Sequence, residues 1–318
     1  MNISKAKSED EAEAAIETGP ESRPPSGFGG LVSSEPLTRL GPGLIDLHTH
    51  SRVSDGALPP SALAESAVKA GLRALALTDH DTVEGLAEFK AAGEKLGLLT
   101  IGGVEISLEH SGTMHLLGLN VNDQAEIPAA LSGLETFRVE RNLKIQNALG
   151  RLGYYLPWDQ LLKVSGGGQM GRPHFAALLL EKGYFKSRDE VFDKLLGKGR
   201  PGYVDKKRLP PRDGLAMVRE AGWAPVLAHP VSLGLSPDEW PGFLVKLCDW
   251  GLLGLEVHHP SHNPEQIDFF KNLAEQFNLT ATVGSDFHGD FEPSVGLDWA
   301  LTASSLGEEM VESLQSKL

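Results

Sequence analysis

Cysteine is nearly absent: Cys248 is the single thiol in 318 residues. That excludes an intramolecular disulfide framework and agrees with a reducing compartment. No apolar run approaches the roughly 20 residues that span a bilayer. The opening residues, Met1 to Asp10, carry no apolar segment of the secretory kind. A soluble, cytoplasmic protein without a membrane partner is therefore expected. Basic residues are also in deficit, 29 against 43 acidic ones, for a net charge of −14. Affinity for long nucleic acid comes mainly from neutralising phosphates, so no long nucleic-acid partner is expected. The length suits two average domains or one barrel-sized domain with an insertion. It is ample for a hydrophobic core.

What the chain has in quantity is histidine, 11 in all, and their placement follows the secondary structure. Residues 1–42 are rich in Glu, Ser, Pro and Gly without apolar periodicity, and read as a disordered tail. From Gly43 short apolar runs alternate with amphipathic stretches, the sign of repeated β-α units. Strands are expected at 44–47, 73–77, 98–101, 113–119, 225–228, 252–257 and 279–283. Helices are expected at 60–70, 83–96, 211–222, 237–249 and 264–277. The fold class is thus α/β, a distorted seven-stranded (β/α) barrel. Its segments are 43–121 and 211–318. Residues 122–210 break the rhythm with helical periodicity at 130–152, 157–164, 173–183 and 188–196, and read as a helical insertion.

Histidines and carboxylates gather where the strands end. Asp46-Leu-His48-Thr-His50 closes the first strand, and the period-two alternation of a strand puts both imidazoles on one side. Thr78-Asp79-His80-Asp81 follows the second strand and Gly102-Gly-Val-Glu105 the third. His115 lies on the fourth, His229 follows the fifth, and Asp286 and His288 follow the seventh. In a parallel barrel all strand C-termini open on one face. These residues then converge on one mouth, a donor set suited to divalent metals. His258, His259 and His262 follow the sixth strand, and one of them could line the pocket. Of Asp79 and Asp81, one is expected to orient an imidazole. Ser51 and Ser285 are weaker candidates for a phosphate contact, and Cys248 reads as packing on a helix.

With these motifs in place the chain resembles the PHP (polymerase and histidinol phosphatase) phosphoesterases over about residues 43–300. The matching stretches are Asp46-Leu-His-Thr-His-Ser51 with Asp55, Leu77-Thr-Asp-His-Asp81, Gly103-Val-Glu105, His115, Ala228-His-Pro230 and Gly284-Ser-Asp-Phe-His288. It looks most like the TrpH/YciV-like branch, which includes nucleoside 3′,5′-bisphosphate phosphatases and 5′→3′ exoribonucleases. Gly171-Arg-Pro-His174 and Gly197-Lys-Gly-Arg-Pro-Gly-Tyr203 are similar to segments of that branch.

The resemblance implies two or three divalent ions, most often Mn²⁺, with Fe²⁺ or Zn²⁺ as alternatives. His48, His50, Glu105 and Asp286 would hold the first, and Glu105, His115 and His229 the second. Asp55, His80 and His288 would hold the third with Asp286 bridging. An oxygen ligand at Asp55, where some relatives have His, favours Mn²⁺ over Zn²⁺ or weakens that site. Asp286, Glu105 and His229 are expected to act in the chemistry, attack on phosphorus by a hydroxide held between metals.

Arg172, His174 and Arg200 are expected to bind substrate, since a guanidinium matches phosphate bidentately. Lys198 is a weaker candidate. The implied substrate is a small phosphorylated nucleotide, most of all the 3′-phosphate of a nucleoside 3′,5′-bisphosphate. Short 5′-phosphorylated RNA trimmed exonucleolytically is the alternative, and a non-catalytic metal-binding module is the reading from a different class.

Overall fold

The computed structural model describes residues 44–120, 129–166, 168 and 170–289. The expected tail, 1–42, lies outside the described residues. Seven strands form one sheet in sequence order: β1 (Leu44–Asp46), β2 (Leu72–Leu77), β3 (Leu99–Leu108), β4 (Met114–Leu119), β5 (Ala224–Leu227), β6 (Gly254–His258) and β7 (Thr280–Val283). The edge strands meet where β1 and β7 run on past their ends. Leu47 N–H donates to Val283 O at 3.0 Å, and His50 N–H to Phe287 O at 2.9 Å. The sheet therefore closes into a distorted barrel at its C-terminal mouth.

The distortion has a local cause. β4 runs antiparallel to both β3 and β5, whereas the other neighbours are parallel. Only Glu109–Thr113 separates β3 from β4, too short for the crossover a parallel strand needs. A reversed β4 enters from the mouth, so His115, at its second position, reaches the same end as the C-termini of the parallel strands. β3 is longer than expected, and Glu105 sits inside it rather than beyond it.

Helices α1 (Pro60–Lys69), α2 (Leu86–Leu96), α7 (Pro211–Glu220), α8 (Trp240–Asp249) and α9 (Pro264–Gln276) cover the barrel. Proline at the first helical position starts α1, α7 and α9, where its missing N–H costs nothing. Asn263 caps α9, accepting from Gln266 N–H while Gln266 Oε1 accepts from Asn263 N–H, both at 2.9 Å. Gly97 ends α2 in the left-handed region, φ 69°.

Strand alternation supplies two apolar layers. Along β2, Leu75 and Leu77 face the helices with Phe89 and Leu63, while Ala74 and Ala76 face inward with Ile45, Leu117 and Val226. Strands buried on both faces read as continuous apolar runs, which is why β2 was legible.

Between β4 and β5 lie α3 (Ala129–Arg151), α4 (Trp158–Val164), α5 (Arg172–Glu181) and α6 (Arg188–Val191), the last running into a π-helical turn over Phe192–Leu196. They share an apolar cluster of their own, with Ile145, Leu149, Leu161, Phe175, Leu179 and Leu196 buried.

Candidate metal centre

Every residue expected as a ligand arrives at the mouth. His48 and His50 sit on the extension of β1, locked by Thr49, whose N–H donates to Thr78 Oγ1 at 3.2 Å while its carbonyl accepts from Thr78 N–H at 2.9 Å. Their Nε2 atoms lie 3.1 Å apart. Glu105 is the hub. Its carboxylate lies 2.7 Å from His80 Nδ1 and from His115 Nδ1, 3.1 Å from His229 Nε2, 3.3 Å from His50 Nε2 and 3.4 Å from His48 Nε2. Asp286 Oδ1 lies 3.0 Å from His50 Nε2 and 3.3 Å from His48 Nε2. Asp55 approaches His288 Nε2 at 3.2 Å and His80 Nε2 at 3.8 Å.

Ligand atoms on one ion at about 2.0–2.2 Å must lie roughly 3 Å or more from one another, which is the spacing most of these pairs show. Among the described residues three groups could each hold an ion: His48, His50, Glu105 and Asp286; His80, Glu105 and His115; and His50, Asp55, His80 and His288. The partition differs from the expected one at His80 and His50, each of which joins two groups, and at Asp286, which falls in the first group alone rather than bridging to the third. His229 stands beside the second group, 3.2 Å from His115 Nδ1.

The donors also fit metals in what they lack. His50 Nδ1, His80 Nδ1 and Glu105 Oε2 are buried without a hydrogen-bond partner. His80 Nδ1 and Glu105 Oε2 are close in space yet misaligned for a hydrogen bond. Buried polar atoms are nearly always paired, so this set is built for divalent cations. The backbone adds strain: Asp286 sits at φ 54° and His229 at φ 25°, a region non-glycine residues rarely occupy.

Burial would raise the Glu105 carboxyl, but His115, His80 and His48 outweigh it and hold it well below the carboxylate range. Burial is likewise overcome at Asp286 by His48 and His288. Burial pushes His115 down to about 3. His50 falls to about 4 through burial and the neighbouring His288. His288 resists burial and rises to about 10 because Asp55 and Asp286 face it.

Several structural partners were not legible beforehand. Glu256, fully buried on β6, accepts from His229 N–H at 2.5 Å and meets His48 Nδ1 at 3.1 Å. One carboxylate thus fixes a ring on β1 and a strained backbone after β5. Its approach requires Gly284, where a Cβ would overlap Glu256 Oε1 and His48 Cβ. Gly284→Ala is expected to lower the melting temperature by several degrees, since overpacking of this kind costs about 1–3 kcal/mol. It should weaken metal binding as well; calorimetric scans with and without metal check both effects.

The expectation for Asp79 and Asp81 is corrected. Asp79 accepts from the Ser51 hydroxyl at 2.6 Å and the Ser54 hydroxyl at 2.6 Å, and Asp81 pairs with Arg138. Ser285 is committed to Asp46 at 2.5 Å. Ser51 and Ser285 therefore pin loops rather than face a ligand, and it is Glu256 that orients an imidazole.

Of the expected substrate-binding residues, Arg172 donates to Leu196 O at 3.1 Å and stacks over Tyr203 at 5.3 Å. His174 caps its own helix, its Nδ1 accepting from Gly171 N–H at 3.0 Å. Arg200 is exposed, in the turn closed by its N–H to Gly197 O at 3.0 Å. Among the described contacts none of the three touches the histidine cluster, although the Asp55 carboxylate acts electrostatically on His174. Two other cations stand beside it: Arg138 of α3 on Asp81, and Lys206 on the Ser107 hydroxyl of β3. Burial pushes Lys206 down to about 8.

A 3′,5′-nucleoside bisphosphate phosphatase of Chromobacterium violaceum is 35% identical over 78% of this chain and 88% of its own length. The model of the PHP domain matches residues 46–184. The chain belongs to the PHP domain family. A 5′-3′ exoribonuclease of Haemophilus influenzae is 31% identical, over 76% of this chain and 89% of that one. Among solved structures, a chain from Bifidobacterium adolescentis named as a metal-dependent phosphoesterase is 28% identical with a TM-score of 0.72, covering 83% of this chain and 96% of that one. No helix among the described residues is long and apolar enough to cross a membrane.

Proposed function

We propose that this PHP hydrolase removes the 3′-phosphate of nucleoside 3′,5′-bisphosphates, with Mn²⁺ in its centre, in the cytoplasm. The observation that carries the reading is the pairing of a dense metal-donor cluster with two cations, Arg138 and Lys206, at its edge. An ester with a single phosphate needs only the cluster. A second anionic group would neutralise Lys206, whose hydrogen bond is to the neutral Ser107 hydroxyl, and would share Arg138 with Asp81. The relative named as a bisphosphate phosphatase supports the same substrate.

His48, His50, Asp55, His80, Glu105, His115, His229, Asp286 and His288 would hold the ions. When bound, divalent ions neutralise phosphate oxygens and lower the pKa of water towards neutrality. The residues of the chain do the rest. Glu105 and Asp286 gather the imidazoles and keep their oxygens ionised. Glu256 holds the orientation of His48. Burial lowers Lys206 to about 8, so it is still mostly protonated near pH 7, and a bound anion beside it would hold that charge.

Lys206→Ala is expected to raise KM for adenosine 3′,5′-bisphosphate about 10–100-fold, the loss of one charged hydrogen bond, while metal content stays as in the wild type. The reading itself is tested by phosphate release from adenosine 3′,5′-bisphosphate with Mn²⁺, beside a 5′-phosphorylated RNA pentamer and histidinol phosphate. Release from the bisphosphate at the highest kcat/KM supports it. Mononucleotides released from the pentamer alone would move the assignment to the exoribonuclease named for the other relative.

A further inference from the structure

We propose that His259 is a catalytic residue, its Nε2–H donating a hydrogen bond to a non-bridging oxygen of the phosphoryl group under attack. The residue stands outside the three ligand groups. It follows β6, and its ring is buried, 7% exposed, among His229 at 5.6 Å, His262 at 5.4 Å and His48 at 6.4 Å.

The tautomer is fixed by the chain. Ser261 N–H, which can only donate, points at His259 Nδ1 at 3.1 Å, and the Ser261 hydroxyl lies 2.7 Å from the same nitrogen. Nδ1 is therefore the acceptor, and the proton of a neutral ring must sit on Nε2. That atom is buried and without a partner, 4.0 Å from Asp286 Oδ2, beside the residues that would hold the ions.

Chemistry narrows the role. A protonated Nε2 has no lone pair to offer a metal, so His259 is no ligand. A neutral imidazole is also far too weak an acid to give up this proton, so it is no general acid. What remains is a fixed hydrogen-bond donor, desolvated in advance and aimed at the place where negative charge grows on phosphorus. The turn Pro260-Ser-His262 keeps it so, since His262 N–H donates to His259 O at 3.0 Å and the Nδ1 of His262 meets Val257 O at 2.8 Å. Such donors matter most when they are rigid and dry. Neighbouring His258, half-buried on the strand itself, and His262 have no charged group of the centre this close among the described contacts.

The inference rests on the phosphoesterase reading, and its test separates the two. Metal content, inorganic phosphate binding and turnover of adenosine 3′,5′-bisphosphate are measured on Mn²⁺-loaded wild type, His259→Ala and His259→Gln. His259→Ala should keep the wild-type metal content, bind phosphate at least tenfold more weakly and lose about 10²–10³-fold in kcat. His259→Gln, which returns an N–H at similar reach, should recover at least tenfold of that loss. The alkaline limb of the pH profile should stay where it is in all three.

Metal lost in step with activity would make His259 a ligand and overturn the proposal. A displaced alkaline limb would make it a proton donor and overturn it equally. Wild-type phosphate affinity and turnover in His259→Ala would leave the donor without a task. If wild type binds phosphate but turns over no nucleotide, the substrate reading fails and the phosphate affinities alone decide the role of His259.

Discussion

Glu105→Gln is expected to cost at least about 10³-fold in kcat/KM, roughly 4 kcal/mol of transition-state stabilisation, and to strip most of the bound metal. The substitution keeps the size of the side chain and removes its charge. Five histidines, His48, His50, His80, His115 and His229, lie within 3.4 Å of that carboxylate. In two of the three ligand groups it is the shared acid. An amide offers one weak carbonyl ligand in place of two anionic oxygens. Metal analysis of the purified variant beside its kinetics checks both halves. Full metal occupancy with activity within tenfold of wild type would show that Glu105 is not the hub.

Chelation should abolish turnover and lower the melting temperature by about 10 °C or more. Binding to the folded state stabilises it by about 2.7 kcal/mol at a hundredfold excess over Kd. Two such sites give about 5 kcal/mol, and a domain of this size shifts by about 2–4 °C per kcal/mol.

The pH dependence adds a sign. Without metal, His288 and His48 are raised by facing carboxylates, so their stabilisation is complete below the unfolded histidine range. That of His288 fades as pH climbs towards about 10. Asp55, Glu105 and Asp286 are lowered, so their contribution is present above the unfolded carboxyl range and fades only at strong acid. His50 and His115 are lowered to about 4 and about 3, so their contribution grows as pH rises to the unfolded histidine range, and the metal-free protein is then most stable near neutral pH and weakens through pH 8. Metal binding needs neutral imidazoles and releases their protons, so its benefit grows with pH. The rise in melting temperature on adding Mn²⁺ should therefore be larger at pH 8 than at pH 6; a gain that is flat or shrinks would contradict the electrostatic account of the site.

Much of this was legible in the sequence because it depends on local periodicity. His48 and His50 share a side because strands alternate, and the apolar run Ala74-Leu-Ala-Leu77 declares a strand buried on both faces. Other features depend on which chain ends meet. Nothing near Glu256 says that it will reach His48, 208 residues away. Its position in an apolar strand, where a lone carboxylate must have a partner to be buried, was the one available signal. Arg138 is one charged residue among many on the long helix α3, and only the fold brings it to Asp81. Arg172 reads as a phosphate clamp from its motif, but that motif gives no sign that its guanidinium lies over Tyr203 and donates one N–H to the Leu196 carbonyl. The reversal of β4 could have been read from the short link Glu109–Thr113, which leaves no room for a crossover.

The central claim is that these histidines and carboxylates form one polynuclear metal centre. Diffraction from Mn²⁺-soaked crystals, recorded at the manganese edge, tests it most directly. The expected result is two or three anomalous peaks, each within bonding distance of one of the three ligand groups, with Glu105 shared between two of them. A single peak away from Glu105, or none at saturating Mn²⁺, would contradict the account.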